Sequence, residues 1–435
     1  MNRSPHILVA AALVILSAWA APARAVLTIE IVNGVEGALP IAVVPFAWQG
    51  EGPAPDTDVA GVVRDDLHRS GQFETLAVSD MVERPDTQDA VNFGTWRLLK
   101  MDYLVIGRLM PAGNGYRAEF ELYNTHSQKR LTGYGINASA GDLRALSHHI
   151  SDLIYKELLG VEGAFSTRIA YITAEGAGDD RSFALHVADA DGYNPQTIVR
   201  SAKPLLSPAW SPDGKKLAYV SFESGNSSVF VQDLASGQRR RIASFKGING
   251  APDFSPDGTR LALALSKAGS PDIYVLDLDS GNLRRLTDHW AIDTEPRWMP
   301  DGRSLVFTSD RGGRPQLYTL NATTGATERL TYDGDYNAGA SVGPRGRLVA
   351  MVHGRNNDFR IAVLDRQNSV VKVLSDGPLD ESPSFAPNGS MILYATQYGG
   401  HGTLAAVSAD GRVHQRLSVS EGDVREPAWS PILSR

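Results

Sequence analysis

Short apolar runs separated by polar turns recur along the last two-thirds of this 435-residue chain. The most regular unit is Pro208-Ala-Trp-Ser-Pro-Asp-Gly214, a strand-like segment and a turn, followed by the apolar run Leu217-Ala-Tyr-Val-Ser221. Six copies centre on prolines at positions 212, 256, 300, 344, 387 and 431, with spacings of 44, 44, 44, 43 and 44 residues. A steady period of this length, without helical periodicity, predicts a β-propeller.

Each repeat predicts four short antiparallel strands, which make one propeller blade. In the third copy the strands are residues 295–299, 304–309, 316–321 and 327–330. The Pro-Asp-Gly turn suits a chain reversal, because proline fixes φ and glycine supplies φ > 0. Five copies carry an aromatic residue at one position of the first strand, and we expect it to pack between blades: Trp210, Phe254, Trp298, Phe385 and Trp429. The fourth copy has Val342 there, which predicts the weakest blade interface.

The first and last repeats are each incomplete. Residues 168–173 have the apolar second strand without a first strand before it, and residues 426–431 have the first strand with nothing after it. We therefore predict that the C-terminal strand completes the blade that begins at Arg168. This closes a ring of six blades and leaves no open sheet edge.

Residues 26–160 lack the repeat and predict a small α/β domain. Residues 40–46 and 103–107 are expected to form buried strands, and residues 116–123 and 130–136 a hairpin. Two amphipathic helices are expected, one at 59–68 after the cap candidates Asp56, Thr57 and Asp58, and one at 143–159 after Asp142. Residues 26–32 alternate in polarity and predict a strand or extended arm. Residues 161–167 are the expected hinge to a propeller at 168–435.

The first 25 residues have the features of a secretory signal peptide. Arg3 gives a positive start, residues 7–20 are apolar, and Ala23-Arg-Ala25 is a cleavage site, so we expect cleavage after Ala25. The apolar run is too short to cross a bilayer. We therefore expect an exported, soluble chain without direct membrane insertion.

Charge and cysteine content narrow the function further. Removing Arg3 and Arg24 with the signal peptide takes the formal net charge from −7 to −9, which argues against nucleic acid or anionic lipid as a partner. The chain has no cysteine, so disulfides, thiol chemistry and cysteine-ligated metals are excluded.

No catalytic site or cofactor is predicted. Asn137-Ala-Ser-Ala-Gly141 is the nearest approach to a hydrolase nucleophile elbow and lacks the first glycine. Asp277-Leu-Asp279 resembles the start of a calcium loop, but Asn282 stands where that loop needs glycine. His148 and His149 are adjacent on a helix and point apart, so packing is favoured over metal ligation. We expect a protein that is not an enzyme, and a cation in the propeller channel is left open.

Seven stretches make the chain beyond residue 25 similar to the TolB family, periplasmic proteins of the Tol–Pal envelope system of Gram-negative bacteria. They are Pro40-Ile-Ala-Val-Val-Pro-Phe-Ala-Trp48, Asn249-Gly-Ala-Pro252, Leu261-Ala-Leu-Ala-Leu-Ser-Lys267, Thr294-Glu-Pro296, Gly313-Arg-Pro-Gln-Leu-Tyr318 followed by residues 321–330, Leu379-Asp-Glu381 and Pro427-Ala-Trp-Ser-Pro431. The resemblance implies a periplasmic monomer that binds the lipoprotein Pal through one propeller face and the inner-membrane protein TolA through a switchable N-terminal arm. It also implies a role in outer-membrane constriction during division and in envelope integrity.

The candidate partner-binding residues lie on one predicted rim. In a propeller, the loops into the innermost strands and the loops between second and third strands share a face, which makes a ready binding surface. The resemblance places the family's Pal contacts on this rim, where Ala251, Thr294 and Glu295 match the family pattern as they stand. The other candidates are taken by their position on the rim: Asn249, Asn337, Glu381, Ser382, Arg425 and Glu426. Relatives carry His where this chain has Ile248. The TolA-type arm comprises Val26, Leu27, Thr28, Ile29, Glu30, Ile31, Val32 and Asn33.

Plainer interpretations accompany these assignments. Glu295, Glu381 and Glu426 are expected at equivalent repeat positions, and such repetition also fits a structural role, for example accepting backbone N–H groups at the channel. By its pattern alone the arm is better explained as an edge strand of the first domain, whereas the resemblance favours a dual role. Another periplasmic propeller adaptor, binding peptide or glycan, is the alternative function.

Overall fold

The computed structural model describes residues 28–33, 37–418 and 422–433. The predicted signal peptide and two arm residues, Val26 and Leu27, lie outside this part of the chain. Within it, no helix is long and apolar enough to span a bilayer.

The α/β domain is built from one sheet with helices packed on it. In chain order its elements, preceded by the arm strand β1, are β1 (Thr28–Asn33), β2 (Leu39–Val43), β3 (Ala47–Trp48), α1 (Val59–Arg69), β4 (Phe73–Thr75), α2 (Phe93–Leu98), β5 (Tyr103–Ala112), β6 (Gly115–Asn124), β7 (Lys129–Ser139) and α3 (Leu143–Leu159). The sheet order is β4-β2-β5-β6-β7, with β3 also paired to β5. Helices α1 and α3 bury their apolar stripes against one face of the sheet, and α2 covers part of the other.

Both long helices begin and end where the sequence indicates. The Asp58 carboxylate accepts the backbone N–H of Gly61 at 2.9 Å and so caps α1. Gly160 ends α3 with φ of 73°, a conformation that glycine adopts without strain. Asp142 precedes α3 as expected but does not cap it, because its carboxylate instead accepts the hydroxyl of Ser139 at 2.6 Å.

The repeats fold into six four-stranded blades, which confirms the predicted fold class. The strands are β8 (Arg168–Glu175), β9 (Ser182–Asp189), β10 (Gln196–Ser201), β11 (Leu205–Trp210), β12 (Lys216–Ser221), β13 (Ser228–Asp233), β14 (Arg239–Ala243), β15 (Asn249–Phe254), β16 (Arg260–Leu265), β17 (Asp272–Asp277), β18 (Leu283–Arg285), β19 (Asp293–Trp298), β20 (Ser304–Ser309), β21 (Gln316–Asn321), β22 (Thr327–Arg329), β23 (Tyr336–Val342), β24 (Leu348–Arg355), β25 (Asp358–Asp365), β26 (Val370–Val373), β27 (Glu381–Phe385), β28 (Met391–Tyr398), β29 (His401–Ser408), β30 (His414–Ser418) and β31 (Asp423–Trp429).

The C-terminal strand closes the ring as predicted. Blade 1 has the order β10-β9-β8-β31, so its innermost strand comes from the end of the chain. Blades 2 to 5 begin at β11, β15, β19 and β23, and blade 6 begins at β27. Strand pairing between the two ends of the repeat region removes the free edge that an open ring would leave.

The repeated aromatic residues pack between neighbouring blades. Trp210 of blade 2, for example, lies in a core with Ile172 and Leu185 of blade 1, and its indole N–H donates to the carbonyl of Ala428 at 3.0 Å. In blade 5 the smaller Val342 occupies this place, in a core that includes Met299 of blade 4.

The arm strand β1 pairs with the propeller and not with the sheet of the α/β domain. It runs antiparallel to β30, with Thr28 opposite Ser418 and Ile31 opposite Gln415. Blade 6 therefore has a fifth, outermost strand. The interpretation of the arm as an edge strand of the first domain is wrong.

Candidate partner-binding site at the channel mouth

A kink in each innermost strand shapes the mouth of the central channel. One residue of each strand has positive φ, and the strand register shifts there: Ser207, Ala251, Glu295, Gly339, Ser382 and Glu426. Five of these six residues are not glycine, although left-handed backbone favours glycine. All six line a cavity of about 400 Å³ at the mouth of the channel.

Two glutamates hold neighbouring blades together at this mouth. The Glu295 carboxylate accepts the hydroxyl of Thr308 at 2.7 Å and the backbone N–H of Gly339, in the next blade, at 2.8 Å. Glu426 of blade 1 likewise accepts the backbone N–H of Ser207 in blade 2 at 3.1 Å. Both carboxylates therefore have the structural role that their repetition suggested, and both also face the cavity.

Glu381 does not occupy the equivalent position. The left-handed residue of its blade is Ser382, so Glu381 corresponds to Thr294, one residue earlier in the repeat. The expected equivalence of the three glutamates is wrong for Glu381, because it stands six residues before the turn proline of its repeat, whereas Glu295 and Glu426 stand five residues before theirs.

The mouth and channel are acidic, and two of the carboxyl groups titrate at unusual pH. Burial raises the pKa of Glu426 to about 6, and repulsion from Glu381 and Glu295 adds to the shift. Burial likewise raises the pKa of Asp253 to about 6, against the opposing charge of Arg297. The wall of the 400 Å³ cavity at the mouth includes Arg297 and the apolar side chains of Tyr336, Phe359 and Leu379.

The predicted rim residues divide into a lining group and a buried group. Ala251, Glu295, Glu381, Ser382 and Glu426 line the mouth. Thr294 is half-buried beside it, and Arg425 is exposed.

Asn249 and Asn337 are fully buried supports of the rim loops. The amide group of Asn249 donates to the carbonyl of Phe245 at 2.7 Å and accepts the N–H of the same residue at 2.8 Å. The amide of Asn337 bonds to Gln316 at 2.9 Å and to His353 at 2.9 Å. Their geometry favours holding the loops in place over touching a partner.

Large exposed apolar residues lie around the channel mouth on the same face of the propeller, and they are not among the partner-binding residues predicted from the sequence. Trp290 is 76% exposed and Tyr332 73%, both in loops that lead into innermost strands. Among the described residues, seven exposed apolar side chains in or next to the loops of this face are Phe245, Ile248, Trp290, Ile292, Tyr332, Leu379 and Tyr398. We call this set the apolar rim.

The repeat contains a signal for part of the apolar rim. Three residues before the left-handed position stand Ile248, Ile292, Tyr336 and Leu379 in four successive blades. A repeated apolar residue in a surface loop has no structural need to be there, since loops of this kind are ordinarily polar. Alignment of the repeats could therefore have identified these positions.

An ion pair stiffens one rim loop. The Asp293 carboxylate, buried at the start of β19, accepts the Arg311 guanidinium at 2.7 Å. Asp310, in the loop after β20, accepts the N–H of Ile292 at 2.8 Å. These bonds fix the loop that carries Trp290 and Ile292, so the rim is preorganised for binding.

No group of three close histidine, aspartate or glutamate ligands occurs at the channel within the described ranges. The one such group in the described part of the chain consists of Asp66, His148 and Asp191, and it lies between the α/β domain and blade 1.

These features define a two-domain β-propeller protein, with an acidic mouth surrounded by apolar side chains. Residues 27–131 match the model of the TolB amino-terminal domain, and residues 155–433 match that of the TolB β-propeller domain. The chain therefore belongs to the TolB family of Tol–Pal system proteins.

Individual relatives agree over nearly the whole length. The chain is 62% identical over 408 residues to the Tol-Pal system protein TolB of Xanthomonas campestris pv. campestris, which is 93% of each chain. The protein of the same name from Xanthomonas oryzae pv. oryzae has the same identity and coverage. The crystal structure of TolB from Acinetobacter baumannii matches with a TM-score of 0.87 at 40% identity, over 93% of this chain and 100% of that chain.

Proposed function

We propose that this protein is a non-catalytic periplasmic adaptor of the Tol–Pal system, which binds Pal through the propeller mouth and TolA through the N-terminal arm. The observation that carries the proposal is the apolar rim around the acidic mouth, on a chain of the TolB family. Aromatic and aliphatic side chains that are exposed on a rigid surface are the usual anchors of protein interfaces. Through these partners the protein would support outer-membrane constriction and envelope integrity.

The chemistry of the mouth supports recognition and not catalysis. Its carboxylates Glu295 and Glu426 accept backbone N–H groups from neighbouring blades, and the cavity wall offers apolar surface. A partner segment that carries a positive charge and an apolar side chain would match both features. No cofactor is required for this role.

Calorimetry of the chain from residue 26 with the soluble domain of Pal from the same organism tests the proposal. We expect one-to-one binding that Ile292→Ser weakens at least tenfold, about 1.4 kcal/mol, because its side chain stands 49% exposed on the apolar rim. Val373→Ser is the matched control, since Val373 is 44% exposed but lies on the outer strand β26.

The other possible results distinguish Pal binding away from the rim from the absence of Pal binding. Binding that both variants leave unchanged would keep Pal as partner and reject the rim as its site. Absence of binding by the unaltered chain would reject the Pal assignment and favour the alternative adaptor for peptide or glycan.

A further inference from the structure

Five charged side chains meet in a buried cluster where the α/β domain touches the propeller. Asp66 and Arg69 come from α1, Arg144 and His148 from α3, and Asp191 from the loop after β9 in blade 1. Asp66, His148 and Asp191 are almost completely shielded from solvent. Charges in such a place are costly unless they are paired, so the cluster couples the two domains energetically.

His148 stands between carboxylates of the two domains. Its Nδ1 lies 2.7 Å from Oδ2 of Asp66, which also accepts the hydroxyl of Ser151 at 2.7 Å. Its Nε2 faces Oδ2 of Asp191 at 3.7 Å and has no hydrogen-bond partner. Asp66 keeps a proton on Nδ1, so the proton that His148 binds or releases as the pH changes is the one on Nε2.

The three ligand-type groups have the proximity of a metal site, but their surroundings do not suit a cation. Arg69 pairs with Asp66 and lies 3.7 Å from Asp191, and Arg144 pairs with Asp191 as well. Both carboxylates are therefore already neutralised by guanidinium groups. A divalent ion would add charge to a site that holds two fixed cations, so a proton fits better than a metal.

We propose that His148 is a proton-dependent latch between the two domains. With Nε2 protonated, the imidazolium bridges Asp66 on α1 and Asp191 on blade 1 and holds the α/β domain against the propeller. Loss of that proton removes the bridge and loosens the joint.

The charges around the ring support this assignment. Burial alone would lower the pKa of His148, but Asp66 and Asp191 outweigh burial and the opposing charge of Arg69, so the pKa is raised above its ordinary value. Arg144 on the same helix and Asp189, with Arg168 beside it on β8, also face the cluster. A raised histidine pKa stabilises the joint below pH 6.5, and this contribution is lost as the pH rises through the pKa of the docked state.

Other contacts also cross the joint: the Arg144 guanidinium lies 4.0 Å from the centre of the Tyr193 ring of blade 1, and Gly71 packs closely against Val413 of blade 6. The side chain of Gln415 on β30 donates to the carbonyl of Arg69, and that of Asn388 donates to the carbonyl of Glu162 at 3.0 Å. Two domains of one chain ordinarily move relative to each other unless the interface between them is large and apolar.

Paired spin labels on the chain from residue 26 measure the joint directly. The chain has no cysteine, so exposed Ala90 in the α/β domain and exposed Ala235 in blade 2 can be changed to cysteine and labelled without interference. We expect a narrow distribution of label distances at pH 5.5 that broadens as the pH is raised to 9. His148→Gln should give the broad distribution throughout that range, and Asp191→Asn should reduce the difference between the two ends.

His126→Gln is the matched control, because His126 also pairs with an aspartate, Asp102 at 2.8 Å, but within the α/β domain alone. It should keep the full pH response. The same response in His148→Gln, or none in the unaltered chain, would overturn the latch. If His148→Gln fails to fold, NMR titration of the His148 ring in the unaltered chain decides the matter, and a pKa at or below 6.5 would reject it.

Discussion

At the scale of single residues, the channel mouth stores conformational strain and compensates it with hydrogen bonds. A non-glycine residue in left-handed backbone costs roughly 1 kcal/mol or more. At Glu426 and Glu295 the side chain bonds to the kinked residue of the following blade, Ser207 or Gly339. At these two of the six kinks the glutamate side chain satisfies the backbone N–H of the next kinked residue, which offsets the strain and links neighbouring blades.

Glu426→Gln tests whether the mouth carboxylate weakens the fold when it is ionised. Because the folded pKa of about 6 exceeds the ordinary value of 4.5, Glu426 binds its proton more tightly in the folded state. Stability is therefore lost as the pH rises from about 4.5 to 6, by about 2 kcal/mol in total. A neutral glutamine can still accept the N–H of Ser207, so we expect a higher unfolding midpoint at pH 7.5 and little change at pH 4.5.

The exposed Glu328→Gln serves as the control for this experiment and should shift neither midpoint. Part of the acid dependence will stay in Glu426→Gln, since the pKa of Asp253 is also about 6. A midpoint at pH 7.5 that falls would show that the ionised carboxylate stabilises the mouth, contrary to our account.

Single residues show where sequence reasoning ends. Asn249 and Asn337 occupy the same repeat position at the start of an innermost strand and were predicted to contact the partner, yet both are buried and bonded to neighbouring residues of the protein. Trp290 and Tyr332 were not selected, although they are among the most exposed apolar residues of the described chain. Repetition identifies a position that matters, but burial, which the repeat does not encode, decides between support and contact.

At the scale of elements, the interface between blades 4 and 5 is where the repeated packing is least complete. Val342 on β23 replaces the aromatic residue of the other blades, and the flexible side chains of Met299 and Met351 share its core. A smaller side chain buries less apolar surface, and methionine specifies packing less firmly than an aromatic ring does.

Hydrogen exchange measured by mass spectrometry will show whether this interface opens first. We expect backbone amides of β23 to exchange several-fold faster than those of β19, whose Trp298 fills the equivalent place. The strand β15, with Phe254, provides a second reference. Equal or slower exchange in β23 would show that the two methionines restore full packing.

Local elements were predictable where a physical signal is local. The bounds of α3 follow from apolar spacing and Gly160, and the strands β20 and β21 follow from the turn residues around them. The six-residue helix α2 has too few turns to show a periodicity, and it was missed. The partner of β1 could not be predicted, because pairing with β30 joins segments almost 400 residues apart.

At the scale of the whole molecule, the arm and the domain joint meet at one strand. Strand β30 pairs with β1, and its Gln415 also bonds to Arg69 in the charged cluster of the joint. Docking of the arm thus supports the strand that touches the α/β domain. Because arm docking and the domain joint both act on β30, each changes the equilibrium of the other by the same free energy.

Blocking the arm should change the affinity that we propose the propeller mouth has for Pal, because the blade that pairs with the arm through β30 also carries Ser382 of the mouth on β27. Successive backbone N–H groups of a strand point to opposite sides, so only one of residues 29 and 30 directs its N–H toward β30. Proline has no N–H, and therefore only one of the variants Ile29→Pro and Glu30→Pro loses a hydrogen bond to β30. We expect the proline variant that loses this hydrogen bond, and the deletion of residues 26–33, to alter the Pal dissociation constant several-fold in calorimetry. The proline variant that keeps the hydrogen bond should have the smaller effect. Identical affinities in the unaltered chain and the three variants would mean that arm and mouth act independently, and the TolA binding that we propose for the arm would then have to be regulated without the propeller.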